Sequence, residues 1–315
     1  MKPTGNDAAG SHDSRIYTDF VHLKGLQRRA RKLNFLPRHN SKSILSGRHG
    51  SRMRGRGLSF EELRDYRVGD DIRTIDWRVT ARTGKPHVRV YAEEKDRSAL
   101  LIVDQRMSMF FGSTHNMKSV TASEAAALCA YGIFERGDRV GAVLFNDEQV
   151  HAYKPSKRAR SLEQIVRALA DCNLALNCDL PVSQPMHLNL PLKTAAECAG
   201  HDQLIIVISD FDEVDEQTEV YLGELCAHND VVLVQVVDPM ARELPADMQM
   251  VVSDGRLQMT LDTSQRQTHA KLQASFSERV EKIGHWRERM KLSVMELSTA
   301  EDTFMQMAEA LAVRR

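Results

Sequence analysis

Paired cysteines, long apolar runs and acidic residues between Phe20 and Phe60 are what this sequence lacks. Its 315 residues include five cysteines (Cys129, Cys172, Cys178, Cys198 and Cys226), an odd number with no CxxC spacing and mostly apolar surroundings. That excludes a disulfide scaffold or a zinc ribbon and points to buried free thiols in a reducing compartment. No apolar run approaches the roughly 18–20 residues that span a bilayer. Met1–Ser14 is polar with no apolar segment, so no signal peptide is expected and the chain reads as cytoplasmic, with no membrane insertion. From Phe20 to Phe60 there is no acidic residue, whereas Lys24, Arg28, Arg29, Arg31, Lys32, Arg38, Lys42, Arg48, Arg52, Arg54 and Arg56 all fall there. Such a stretch suits phosphates or an acidic partner protein. With Phe35 as its one internal aromatic and no known binding motif, it makes nucleic acid an alternative rather than the main reading.

Catalytic signatures are missing too. There is no P-loop, no GxGxxG after a strand, no HExxH and no GxSxG. The twelve histidines are scattered without metal-ligand spacing. His49, His87, His151 and His285 read as surface or satisfied core residues. The expectation is a protein that is not an enzyme.

What is present is ordinary in bulk and specific in detail. Lys+Arg and Asp+Glu each number 43, and 42% of residues are hydrophobic, as in globular proteins with no global charge preference. Residues 1–15 read as disordered. Ile16–Phe35 carries Phe20, Leu23, Leu26, Ala30 and Leu33 at helical spacing, which predicts one amphipathic helix ending before Pro37. A Gly/Ser/Arg-rich loop over 38–60 follows, then short mixed segments with a strand in Lys85–Ala92. Together, residues 16–95 read as one N-terminal module of helix, basic loop and signature.

From residue 96 to 315 the rhythm becomes strand and helix in alternation. Apolar runs at Ala99–Val103, Arg139–Phe145, Leu204–Ser209, Val231–Val237 and Leu292–Leu297, with an edge strand at His151–Tyr153, enclose helices at Thr121–Arg136, Lys157–Asp171, Thr218–His228 and Asp302–Val313. Continuous apolar strands of this kind predict an α/β fold with a doubly wound, mostly parallel sheet covered on both faces. Met248–Leu261 alternates around Asp254-Gly255, the mark of an inserted β-hairpin.

Two of the buried strands end in aspartate, at Leu101-Ile-Val-Asp104 and Ile206-Val-Ile-Ser-Asp210. In a doubly wound sheet both open onto the rim where ligands bind. The pattern resembles the von Willebrand factor A domain, whose divalent-metal site uses D-x-S-x-S after the first strand, a threonine from a middle loop and a later aspartate. The resemblance implies Mg²⁺ held by Asp104, Ser108 and Asp210. The middle serine is replaced by Arg106, and Met186–Leu192 has no threonine, although Thr194 is near. Three arrangements are open: a metal site with a substitute ligand, a guanidinium lying between the two carboxylates in place of the metal charge, or Arg106 in solvent with the aspartates capping helices.

The segment Gly55–Arg82 carries Gly55, Gly57, Phe60, Arg64, Tyr66, Gly69-Asp70-Asp71, Arg73, Ile75-Asp76-Trp77 and Ala81-Arg82. This run resembles the family called domain of unknown function 58, and the likeness extends over roughly residues 20–300, including Tyr91–Glu94 and Ser209–Phe211. The resemblance implies a non-enzymatic adaptor working with a MoxR-type AAA+ ATPase and other von Willebrand factor A proteins in assembling or activating other proteins. Many members have transmembrane helices ahead of the signature; with no apolar run of that length in its sequence, this chain is expected to be a soluble subunit. Physically, the alternation of acids and bases suits Arg–carboxylate pairs clasping an irregular segment, with Phe60 and Trp77 as apolar anchors. The residues expected to meet partners are Arg106 and Asp212 at the rim and Arg64, Asp70, Asp71, Arg73, Asp76 and Trp77 in the signature.

Overall fold

A computed structural model describes residues 13–33, 58–93, 98–177, 186–242, 249–253, 258–262 and 266–312. The chain forms two compact units, Met1–Pro37 with Arg97–Arg315, and Arg38–Asp96.

The larger unit opens with α1 (Phe20–Gly25) and α2 (Gln27–Ala30). The single helix expected over Ile16–Phe35 is therefore two short ones, parted at Leu26. These helices also do not belong with the signature module, as a 16–95 boundary implied. Leu23, Leu26, Ala30 and Leu33 are buried in the main core of the larger unit, because an apolar stripe this long needs a large surface to cover it.

The smaller unit pairs β1 (Leu58–Asp65) antiparallel with β2 (His87–Glu93), with an irregularity between Phe60 and Glu62. Between them lie a 3₁₀ turn at Ile72–Thr74 and α3 (Trp77–Thr83). The loop expected over 38–60 thus gives way to strand at Leu58; residues 38–57 lie outside the described residues. Helix α3 starts where the Asp76 carboxylate accepts from the N–H groups of Arg78 and Val79, and it stops at Gly84, which sits at φ 71 as its C-cap.

The larger unit then lays down β3 (Ser98–Asp104), α4 (Lys118–Phe134), β4 (Arg139–Phe145), β5 (Val150–Ser156), α5 (Ala159–Leu174), α6 (Asn189–Cys198), β6 (Leu204–Ser209), α7 (Glu216–His228), β7 (Asp230–Val237), α8 (Pro239–Arg242), the hairpin β8 (Gln249–Ser253) and β9 (Gln258–Asp262), α9 (Arg266–Met290), β10 (Ser293–Ser298) and α10 (Thr303–Ala312). Six strands form one sheet in the order β10-β7-β6-β3-β4-β5, parallel except for β5 at the edge. The order runs outward in both directions from β3 and β6, so the direction of winding reverses between them, and the crevice at their carboxyl ends is where such sheets accept ligands.

Period-two alternation sorts the strand residues between two cores. Leu101, Val103, Ala142, Leu144, Ile206 and Ile208 face a layer with α4, α5 and α10; Leu100, Ile102, Val143, Phe145, Ile205 and Val207 face the other, with α6, α7 and the second half of α9. Helix α4 is buried almost all round, and its alanines let it cross the sheet closely. Gly141 meets a similar need, since a Cβ there would lie 2.7 Å from the Pro155 nitrogen and the Tyr153 oxygen across the irregular β4–β5 pairing.

Four helices escaped the sequence reading, the short α3 and α8 and the longer α6 and α9. Helix α6 carries Pro191 in its first turn, which made Met186–Leu192 look like a loop, and α9 is so charged that its apolar stripe, Ile283 and Trp286 included, is sparse. The expected hairpin is present, although its Asp254-Gly255 turn lies outside the described residues. So do residues 1–12, where disorder was expected; Asp13–Arg15 are held by a turn in which Arg15 pairs with Asp13. No helix among the described residues is long and apolar enough to cross a membrane.

Candidate functional site at the strand ends

The last residue of β3 and the first after β6 bring Asp104 and Asp210 to the same rim, both buried. Asp104 is held almost wholly by the residue two places on. Its Oδ1 accepts from the Arg106 backbone N–H at 2.9 Å and from Nε at 3.1 Å, while Oδ2 accepts from Nη2 at 2.8 Å. The same Oδ2 accepts from the Ser209 hydroxyl at 2.6 Å. Arg106 is 3% exposed, so its side chain points inward and not to solvent. Its remaining Nη1 donates to the Met186 carbonyl at 2.8 Å, and its guanidinium lies 5.8 Å from the Phe145 ring centre.

Asp210 has a different cation. Lys118, at the start of α4, places Nζ 2.6 Å from Oδ2. The Oδ1 atom faces the Ser108 hydroxyl at 3.5 Å and the Asp212 N–H at 3.1 Å, with Arg106 Nη2 at 3.9 Å. One guanidinium therefore spans both carboxylates, bidentate to the first and at longer range to the second. Farther out, Arg279 of α9 donates to the Asp210 carbonyl and pairs with Asp212.

The electrostatics follow from this packing. Burial works against charge on Arg106, yet the Asp104 carboxylate and its hydrogen bonds outweigh it and hold the guanidinium above its ordinary value. Burial likewise opposes ionisation of Asp210, but the nearby Lys118 and Arg106 charges prevail and keep its carboxyl well below the usual range. Asp147, two residues beyond β4, supplies a third carboxylate. It accepts from the Met107 N–H at 2.6 Å, and burial pushes its pKa up against that bond.

Neighbouring polar groups fix the rim's backbone. Gln105 donates to the Asp104 and Ser119 carbonyls, Asn173 donates to Gln105, and Thr18 donates its N–H to Asn173. At the next strand end, Asp238 accepts from the hydroxyls of Ser113 and Thr299, each at 2.6 Å. After β6, Phe211 and Glu213 take φ values of 53° and 55°, which costs a non-glycine residue on the order of 1 kcal/mol or more. Phe211 is fully buried and its N–H is anchored on the Ser209 hydroxyl, so packing over-determines the turn.

The sequence reading expected Asp104, Ser108 and Asp210 at one rim and left the direction of Arg106 open; its inward position is the guanidinium arrangement among the three. The reading missed Lys118, Asp147, Ser209 and Arg279. Asp147 was findable as a third acid at a strand end; Lys118 and Arg279 come from helices and carry no local signal. Thr194 is not at the rim: its hydroxyl donates within α6 to the Leu190 carbonyl. The residues present do not fit a divalent cation, because the carboxylate faces that would meet it are occupied by Arg106 and Lys118. Mg²⁺ wants several hard oxygens around one point, and here two side-chain cations stand among them.

The signature residues gather in the smaller unit instead. Arg64 grips Asp70 with two hydrogen bonds of 2.7 and 2.8 Å. Asp71 caps the 3₁₀ turn by accepting from the Arg73 N–H, and Asp76 takes Arg89 at 2.7 Å. Trp77 departs from expectation. It is 68% exposed and so is no apolar anchor, since the first turn of α3 turns it outward. The side chain of Phe60 lies outside the described residues.

Of the basic stretch, the described part is largely paired with carboxylates of its own unit. Arg29 reaches Asp302 at 2.7 Å and Arg31 reaches Glu135 at 3.1 Å, with Lys24 near Glu163 at 3.9 Å. Residues 34–57, with Arg38, Lys42, Arg48, Arg52, Arg54 and Arg56, lie outside the described residues.

The stretch that carries these charged clusters matches a family already described. The model for the family "Protein of unknown function DUF58" matches residues 62–282, and the chain belongs to that family. Among curated proteins it is similar to an uncharacterized protein of Mycobacterium bovis and to one of Mycobacterium tuberculosis. Each is 27% identical over 224 residues, which is 71% of this chain and 69% of the relative.

Proposed function

We propose that the protein is a non-enzymatic adaptor, acting in the cytoplasm, whose strand-end rim receives a loop or carboxylate of a partner protein. The observation that carries this reading is the closed ion-pair set at the switch point. Asp104, Arg106, Lys118 and Asp210 satisfy one another at 2.6 to 3.1 Å, leaving a shaped and neutralised rim. On this reading the Arg106 and Lys118 charges stand where a von Willebrand factor A-like site would keep its metal ion, so partner binding is independent of Mg²⁺. Ser108 has a carboxylate partner and, among the described residues, no histidine partner, which favours binding over acyl or phosphoryl chemistry. The partners proposed are a MoxR-type AAA+ ATPase and other von Willebrand factor A proteins.

The test is co-purification of the tagged full chain with a MoxR-type ATPase from the native cell, with and without EDTA. Retention in EDTA, lost in the half-buried rim variant Asp212→Lys, is the expected result. A Mg²⁺-dependent association, or a saturable rise in Tm with Mg²⁺ that disappears in Asp104→Ala, overturns the metal-independent rim. Retention of no ATPase removes the partner assignment.

A further inference from the structure

The smaller unit uses its acids internally and turns its apolar groups outward. Its loop leaves β1 at Tyr66, whose N–H donates to the Pro86 carbonyl at 2.8 Å, and returns at Asp76, whose N–H donates to the His87 carbonyl at 2.8 Å. Ile75 then bridges to Val88. Both ends of the loop are thus pinned to adjacent residues at the start of β2, and the segment between is a closed, shaped element. Inside it Asp70 accepts from Arg64 and from the Arg67 N–H, and Asp71 accepts from the Arg73 N–H. The first of these bonds holds Asp70 at about 2, with the Arg67 N–H adding to it.

The outward groups are of the opposite kind. Val68 is fully exposed, Ile72 is 64% exposed and Trp77 is 68% exposed. Leaving such side chains in water forgoes the favourable transfer of apolar surface that burial would bring. Residues 66–85 also carry five cations (Arg67, Arg73, Arg78, Arg82 and Lys85) against three carboxylates (Asp70, Asp71 and Asp76). Asp70 and Asp76 are taken by Arg64 and Arg89. Among the described residues, none of the five cations has an ion-pair partner.

We propose that this loop and the start of α3 bind an acidic segment of a partner protein in which apolar or aromatic residues stand between carboxylates. Charge complementarity selects that occupant: its acids meet Arg67, Arg73, Arg78 and Arg82, and its apolar side chains cover Val68, Ile72 and Trp77. A second copy of this chain would bring like charges together. Nucleic acid would be served by stacking platforms, whereas two of the three exposed groups are aliphatic. The proposal rests on the reading of the chain as a partner-binding protein and adds the chemistry of one partner segment, separately from the rim.

The test uses a phage-displayed random peptide library selected on the intact protein. Enriched peptides are expected to combine Asp or Glu with Leu, Ile, Phe or Trp. Each chain carries its own reporter, because the only other tryptophan, Trp286, is 2% exposed. Bound peptide should therefore shift Trp77 emission to the blue and protect it from acrylamide. Arg73→Glu/Arg78→Glu, at exposed positions, should weaken binding about tenfold or more, with Tm unchanged. Enrichment without acid bias, binding indifferent to these variants, or no enrichment overturns the proposal. Displacement of the peptide by oligothymidylate at equal concentration overturns it in favour of nucleic acid, and acrylamide protection of Trp77 in the free protein shows the surface already covered. These results are independent of ATPase co-purification, so either reading can fail alone.

Discussion

The strand-end rim and the signature loop both rest on arginine–carboxylate pairs, but one is sealed in protein and the other lies at the surface. At the rim, Arg106 and Asp104 are 3% and 0% exposed, and Arg106 donates to Asp104 and to the Met186 carbonyl while Lys118 pairs with Asp210. In the loop, the Arg64 and Asp70 side chains are 34% and 20% exposed, and further cations stand unpaired beside them. The same bidentate geometry therefore has two meanings. Where water is excluded, a pair cannot be broken without stranding a charge, so it sets structure. Where water screens it, the pair costs little to open, and its neighbours stay available to others.

Removing one partner from each pair sharpens that contrast most. Arg106→Ala strands Asp104, and Asp210 loses one of its flanking cations, so urea unfolding should show about 3–5 kcal/mol of lost stability. Arg106→Lys should recover only part of it, because a lysine cannot bond both Asp104 oxygens at once. A loss under about 1 kcal/mol would break the comparison, since it is the value of a screened surface pair.

Acid gives a middle-sized effect. The folded-state pKa of Asp210 is depressed, so its contribution is fully present above the ordinary carboxylate value near 4 and falls away as pH drops from there toward the folded value. Unfolding midpoints taken from pH 6 to pH 2 should decline below about 4, and Asp210→Asn should flatten that decline relative to the parent. An unchanged slope would show that Asp210 is not held ionised by Lys118 and Arg106.

The smallest effect is expected at the surface pair. Arg64→Ala should leave the global urea midpoint where it is. It should speed amide hydrogen exchange at Arg67, whose N–H is held by the Asp70 carboxylate that Arg64 orients. A shifted midpoint would mean that the loop clasp supports the fold as strongly as the rim does.

Much of this was legible along the chain, for reasons that particular residues make plain. The strands β3, β4, β6 and β7 are continuous apolar runs, buried from both sides, and their edges fall within a residue or two of the expected ones. Helices with strong stripes were found, while α6 and α9 were not, because a proline and a dense set of charges hid their period. Asp104 and Asp210 were found because each closes an apolar run. Lys118 was not, since it lies beside Asp210 only through the packing of α4 across the sheet.

What the amino-acid sequence determined by itself was the α/β class, the inserted hairpin and the convergence of two aspartates on one rim. These depend on local periodicity and on the direction in which parallel strands run. The tertiary structure alone decided which way Arg106, Lys118 and Trp77 point. A charged or aromatic side chain has no fixed address in a pattern of residues; its place is set by which carboxylate, helix or solvent face lies within reach once the sheet has wound.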